Sequence, residues 1–173
     1  ARRADRPAVE ERVVREPREF ATLLEIARQE SQTAFGDGTL FIEPYVEASR
    51  HIEVQVLADG HSAVHYFERE CSLQRRRQKV WEEAPSRALS PQLRDELCSS
   101  AVRLALAVNY SGAGTVEYLY DEDADRFYFI EMNTRIQVEH PVTEMITGLD
   151  LVAEMLRIAG GEALRLTQAD VTV

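Results

Sequence analysis

The 173-residue sequence predicts an α+β fold, a mainly antiparallel sheet with flanking helices, in one domain or a large piece of one. Three observations lead there. Two segments that alternate polar and apolar residues, His51 to Leu57 and Ala63 to Phe67, are joined by Asp59-Gly60, a hairpin signal. A second pair, Thr115 to Tyr120 and Phe127 to Ile130, is joined by a short loop from Asp121 to Arg126. Helical periodicity falls between these hairpins rather than after every strand, which argues against a doubly wound parallel sheet.

Taken in order, residues 1 to 11 have mixed charge and no apolar period, and are expected to be disordered or poorly packed. Val13-Val14 reads as a strand start. Pro17 opens a helix with Phe20, Leu23, Leu24, Ala27 and Ala34 on its apolar stripe, closed by Gly36-Asp37-Gly38. Leu40 to Val46 reads as a short strand stopped by Pro44. Residues 70 to 79 form a dense basic run, and Val80-Trp81 resume a short strand. Ser90-Pro91 opens a helix by N-cap and first-turn logic, with Leu93, Leu97, Val102, Leu104, Ala105 and Val108 on its apolar face. Two short helices, around 142–147 and 150–159, follow Pro141, separated by Gly148 and closed by Gly160-Gly161.

The totals narrow the function classes. A formal charge of −10 argues against broad nucleic-acid or anionic-membrane binding. No apolar run is long enough to span a bilayer and no segment reads as a signal peptide. Cys71 and Cys98 fit neither a zinc spacing nor a disulfide framework, so a reducing cytoplasm is the expected compartment. Lys79 is the only lysine in the chain.

The residues that carry chemistry follow Phe127 to Ile130, which read as a buried strand running into Glu131, Asn133, Arg135, Gln137 and Glu139. Alternate side chains share a face while the extended conformation lasts. A five-residue loop, 122 to 126, pairs Asp121 with Phe127 and, in the same register, Glu117 with Glu131. Facing Cβ atoms in an antiparallel pair lie about 5 Å apart. Two carboxylates that close repel unless a cation lies between them or one is protonated. Glu117, Glu131 and Asn133 therefore point to a divalent cation, and oxygen ligands of this kind suit Mg²⁺. The planar fork of Arg135 suits a carboxylate-like anion. A register slip of one residue would separate the pair. The rival reading is a solvated edge strand, with His51 structural and Arg75 to Arg77 a solvated basic loop.

In this order, HIEVQVLADG, ECSLQRRRQKVWEEAP, GAGTVEYLY and EMNTRIQVEHPVTEMITGLDLV resemble the ATP-grasp domain of biotin carboxylase, shared by the biotin-dependent acyl-CoA carboxylases and pyruvate carboxylase. The resemblance covers about residues 12 to 170. It implies the C-terminal portion of that domain and an ATP-dependent ligase that makes carboxyphosphate from bicarbonate and carboxylates biotin. Its cofactors would be ATP and Mg²⁺ (or Mn²⁺), with biotin as a carrier-bound substrate. Its partners would be a biotin carboxyl carrier domain, a carboxyltransferase subunit and a second copy in a homodimer, with no nucleic acid or membrane. By the same resemblance Glu117, Glu131 and Asn133 match the metal site, and Arg135, Gln137 and Val138 match bicarbonate-binding positions. Glu139 matches the base and Lys79 a lysine near the transferred phosphate. Glu43, Pro44 and Val46 match the adenine pocket, and His51, Gln74 and Arg77 match positions near the nucleotide's sugar and phosphates.

Three departures set further expectations. The family's glycine-rich loop should precede Arg12, where Asp5 to Glu10 hold no glycine; the family's C-terminal domain lies past Val173; and Arg77 stands where histidine is common. The chain alone is therefore expected to be inactive, and the rival class is a non-catalytic remnant that binds nucleotide weakly or pairs with a full-length subunit. A carbamoyl-phosphate-forming ATP-grasp ligase is a more distant alternative, disfavoured by the run Arg135 to Glu139.

Overall fold

The computed structural model describes residues 12–76 and 78–173. The expected disorder of residues 1 to 11 and the nucleotide contact assigned to Arg77 lie outside them. The chain divides into two compact units, Ala1–Tyr45 and Val46–Val173. In the first, Pro17–Glu19 form a 3-10 turn that leads into α1 (Phe20–Phe35), which ends at Gly36 in the left-handed conformation (φ 72°). Two expected strands are absent. Residues 12–15 and 37–46 carry no regular structure, because the apolar residues at Val13-Val14 and Leu40 to Val46 find no strand to pair with.

The second unit holds one five-stranded antiparallel sheet, β1 (Arg50–Asp59), β2 (Ala63–Arg75), β3 (Gln78–Glu83), β4 (Ser111–Asp121) and β5 (Arg126–Asn133), in spatial order β3-β2-β1-β4-β5. Three helices complete it: α2 (Pro91–Ala107), α3 (His140–Thr147) and α4 (Leu151–Ala159). Ser90 Oγ accepts from Leu93 N at 3.2 Å and Asp150 Oδ1 from Ala153 N at 2.8 Å, so α2 and α4 start where a capping side chain satisfies an orphan N–H. β2 runs through most of the basic segment instead of stopping at Phe67, and turns into β3 at Arg76 (φ 51°).

Alternation along β1 sorts its residues between two faces. Ile52, Val54 and Val56 pack with Leu93, Leu97 and Ala101 of α2. His51, Glu53 and Gln55 point the other way, towards α3, beside a second apolar cluster of Leu57, Tyr66, Leu151 and Ile158. Between β1 and β4 the register is unbroken, whereas β1–β2 and β4–β5 each carry one extra residue, in β2 and in β5, and β2–β3 is irregular between Glu70 and Gln74. In β2, Tyr66 and Phe67 oppose Gln55, with Phe67 at φ 60°; this bulge puts Arg69, not Glu68, opposite Glu53.

The β4–β5 hairpin has a four-residue loop, 122 to 125, so Asp121 faces Arg126 and not Phe127. Ile130 then forms a bulge, and beyond it Glu117 faces Glu131 as the sequence predicts. The two one-residue differences cancel. β5 is an edge strand, and Tyr128, Phe129 and Ile130 are exposed rather than buried. No helix among the described residues is long and apolar enough to cross a membrane.

Candidate functional site

The two bulges create one row of side chains across four strands: Arg69 on β2, Glu53 on β1, Glu117 on β4 and Glu131 on β5. A second row, Gln55, Thr115 and Asn133, lies beside it. Arg69 and Glu53 are fully buried, joined at 2.7 Å between Nε and Oε1. A buried carboxylate needs a partner of this kind, since an uncompensated charge there would cost several kcal/mol.

Lys79, at the start of β3, reaches into the row. Its Nζ donates to Glu53 Oε2, to Glu139 Oε1 at 2.6 Å and to Glu117 Oε1 at 3.2 Å. Burial alone would lower the ammonium's pKa; the Glu53 charge and the bond to Glu139 outweigh it and raise it, so Lys79 is charged. Glu117 Oε1 also accepts from Asn133 Nδ2 at 2.8 Å and Gln137 Nε2 at 3.0 Å, while His51 Nε2 lies 2.8 Å from Oε2. Burial pushes the Glu117 carboxyl up, but the His51 contact, the Gln137 bond and the Lys79 charge hold it at about 2. Gln74 Nε2 lies 2.9 Å from His51 Nδ1 and fixes the ring from behind.

Seven of the fourteen predicted site residues thus converge: His51, Gln74, Lys79, Glu117, Asn133, Gln137 and Glu139. Glu131 is exposed, with one long contact from Asn133 Nδ2 at 3.4 Å. Alternation fails beyond Asn133, where β5 ends. Arg135 is exposed and donates to the Ile136 carbonyl at 3.1 Å instead of facing the cluster, and Val138 is 91% exposed. Gln137 and Glu139 reach the cluster from the turn before α3, of which Glu139 is the N-cap. Glu43 and Pro44 are exposed in the first unit, and Val46 is half-buried at the start of the second.

Glu53, Arg69 and Thr143 belong to the cluster and were not anticipated. The usable signal was the position of Glu53, two residues after His51 on the same strand face. His51, Glu53 and Glu117 lie close enough to bind a metal ion together, but the Lys79 ammonium already lies against both carboxylates, and Arg69 pairs with Glu53. The set better suited to a divalent ion is Glu117, Glu131 and Asn133: two facing carboxylates, one of them without a cation partner among the described residues, and an amide whose Nδ2 faces both carboxylates and would have to turn to offer its oxygen.

The model of the carbamoyl-phosphate synthase L chain ATP-binding domain matches residues 10–167. The chain belongs to that family. Biotin carboxylase 1 of Bacillus subtilis is 52% identical over 161 residues, 92% of this chain and 36% of that protein. The biotin carboxylase–beta-gamma-ATP complex from Campylobacter jejuni superposes with a TM-score of 0.85 at 45% identity, over 94% of this chain and 36% of that one. The biotin carboxylase domain dimer of Hydrogenobacter thermophilus 2-oxoglutarate carboxylase, with MgADP, ADP and bicarbonate, superposes with a TM-score of 0.78 at 51% identity, over 88% of this chain and 34% of that one. Within the family the chain's likeness is therefore to biotin carboxylases, whose ATP-grasp fold it shares, and it spans about a third of the length of these relatives. The clustered side chains of this ATP-binding domain sit on its sheet face, between β3 and α3.

Proposed function

We propose that the chain is part of a biotin carboxylase, the ATP- and bicarbonate-using portion of an enzyme that carboxylates biotin for an acyl-CoA or keto-acid carboxylase. The observation that carries this is the register of Glu117 and Glu131, with the Lys79–Glu139 pair beside Glu117. Likeness to proteins named for this activity supports it. On this reading residues 12–173 are a partial ATP-grasp domain, working with a biotin carrier and a carboxyltransferase, and paired with a second copy.

Glu117, Glu131 and Asn133 would hold Mg²⁺, which when bound offsets the charge on the nucleotide phosphates. Glu43, Pro44 and Val46 are assigned to the adenine, and His51 and Gln74 to the rest of the nucleotide. Arg135 and the Val138 backbone would bind bicarbonate; the exposed guanidinium is free to swing to an anion. Gln137 Oε1 is buried without a partner among the described residues, an acceptor able to orient the bicarbonate hydroxyl. Burial raises the Glu139 pKa, but the Lys79 bond outweighs it and lowers it, so the carboxylate is ionised and weakened as a base while Lys79 stays. When Lys79 turns to an anionic phosphate, Glu139 recovers basicity. Glu139 then takes the hydroxyl proton as a bicarbonate oxygen bonds to the γ-phosphorus and the bond to the β-phosphate oxygen breaks, releasing ADP.

The test is Glu139→Gln in the intact carboxylase that carries this chain. The amide keeps the size but cannot accept the proton. Turnover of biotin carboxylation should fall about 10²- to 10⁴-fold with ATP affinity nearly unchanged. Turnover within a few-fold of wild type would remove Glu139 as the base.

A further inference from the structure

We infer that Arg69 and Thr143 form a positioning pair that holds Lys79 and Glu139 in register with each other. The inference rests on the reading of those two residues given above.

The contacts close into a ring. Glu139 Oε1 accepts from Lys79, and Lys79 donates on to Glu53 Oε2. Glu53 Oε1 accepts from Arg69 Nε at 2.7 Å. Arg69 Nη1 donates to Thr143 Oγ1 at 2.7 Å and to Gln55 Oε1 at 2.9 Å. Thr143 lies four residues after Glu139, one turn further along α3, so the ring returns through the helix to the carboxylate where it began. Arg69 and Thr143 are both fully buried, and the hydrogen bonds of Arg69 go to Glu53, Gln55, Thr143 and Thr115 rather than to Glu139.

The ring ties together elements that are otherwise far apart in sequence. β3 carries Lys79, Glu139 is the N-cap of α3, and β1 and β2 supply Glu53 and Arg69, the links between them in the ring. A planar guanidinium suits the junction because its donors leave in fixed directions: one edge meets the carboxylate that anchors the lysine, and another nitrogen meets the helix that carries the base. The β2 bulge puts that guanidinium here, since without the extra residue Glu68 would face Glu53. A shift of α3 against β2 would change the Lys79–Glu139 separation, and displacements of about 1 Å at a reacting group can cost roughly 100-fold in rate.

The test is a set of variants of the intact carboxylase that carries this chain. Thr143→Val keeps the shape and removes the bond to α3, while Thr143→Ser restores a hydroxyl. Thr143→Val should lower kcat about tenfold with KM for ATP unchanged, and Thr143→Ser should return kcat to within about twofold. Arg69→Lys, a point charge that cannot span both partners, should lower kcat by roughly 100-fold. Lys79→Gln is the reference arm. If Lys79→Gln loses turnover while Thr143→Val stays within twofold of wild type, the positioning role is wrong and the site reading survives. If Lys79→Gln keeps full turnover, the site reading falls and the positioning role with it. Should Arg69→Lys fail to fold, the Thr143 pair still decides, because Val and Ser differ there by the hydroxyl whose rescue a purely structural role would not couple to kcat alone.

Discussion

Two hairpins, β1–β2 and β4–β5, use one device, a bulge, for opposite electrostatic ends. Each inserts one extra residue and thereby turns one charged side chain towards a carboxylate on the neighbouring strand. In β1–β2 the side chain is a guanidinium, Arg69, and the pair it makes with Glu53 is fully buried. In β4–β5 it is another carboxylate, Glu131, on an exposed edge strand, facing Glu117. The inner end of the row carries its own cations, Arg69 and Lys79. The outer end carries excess negative charge. Charge that must be satisfied for the chain to fold is matched within the chain, whereas charge at the rim is screened by solvent and needs no such match; under the proposed function that is the charge a ligand would meet.

Removing the inner cation should do the most damage. Lys79→Met leaves Glu53, Glu117 and Glu139 clustered with Arg69 as the one remaining buried cation beside them. Breaking a buried ion pair typically costs about 3–5 kcal/mol, and Lys79 retains some exposure, so a loss of about 3–4 kcal/mol is expected in chemical denaturation. A loss below about 1 kcal/mol would mean that the inner carboxylates do not need an internal cation, and the contrast between the ends would disappear.

Acid should act on the middle of the row. Glu117 has its carboxyl pKa held at about 2, well below its ordinary 4.5, so the folded form binds the proton less readily than the unfolded chain. Its contribution is complete above about pH 4.5 and is lost as pH falls from there through 2, by up to about 3 kcal/mol. Denaturation midpoints measured from pH 5 to pH 2 should fall more steeply for wild type than for Glu117→Gln. Parallel slopes would show that the surrounding donors do not stabilise the ionised form.

How far this was legible in the sequence depends on which end is considered. The β4–β5 end was readable because a hairpin is local: loop length and alternation predict that Glu117 meets Glu131, and the error of one in the loop is cancelled by the bulge at Ile130. The exposure of Tyr128 to Ile130 was misjudged, because an apolar run does not reveal whether a further strand lies beside it. The β1–β2 end was opaque. Glu53 and Gln55 occupy the polar positions of an alternating strand, which reads as a solvent face; α3, more than eighty residues later, turns that face into interior. The bulge at Phe67 reverses which of Glu68 and Arg69 points there, and nothing in the local sequence marks it. Arg135 was misplaced for a related reason, since the period of two lapses where β5 ends at Asn133.

The smallest expected effect is the one that separates the two ends most cleanly. Glu131 is exposed, and among the described residues its one hydrogen bond is the 3.4 Å contact from Asn133. Glu131→Gln removes a like charge opposite Glu117 without leaving a buried group unpaired, so metal-free stability should change by less than about 0.5 kcal/mol, and in the stabilising direction if at all. The same substitution removes one of two carboxylates available to a divalent ion, so the rise in Tm that Mg²⁺ adds to nucleotide in the intact protein should largely vanish. The two measurements oppose each other only if Glu131 serves a ligand and not the fold. A loss of about 2 kcal/mol without metal, with the Mg²⁺-dependent rise in Tm intact, would make Glu131 a structural carboxylate and place the outer end of the row on the same footing as the inner one.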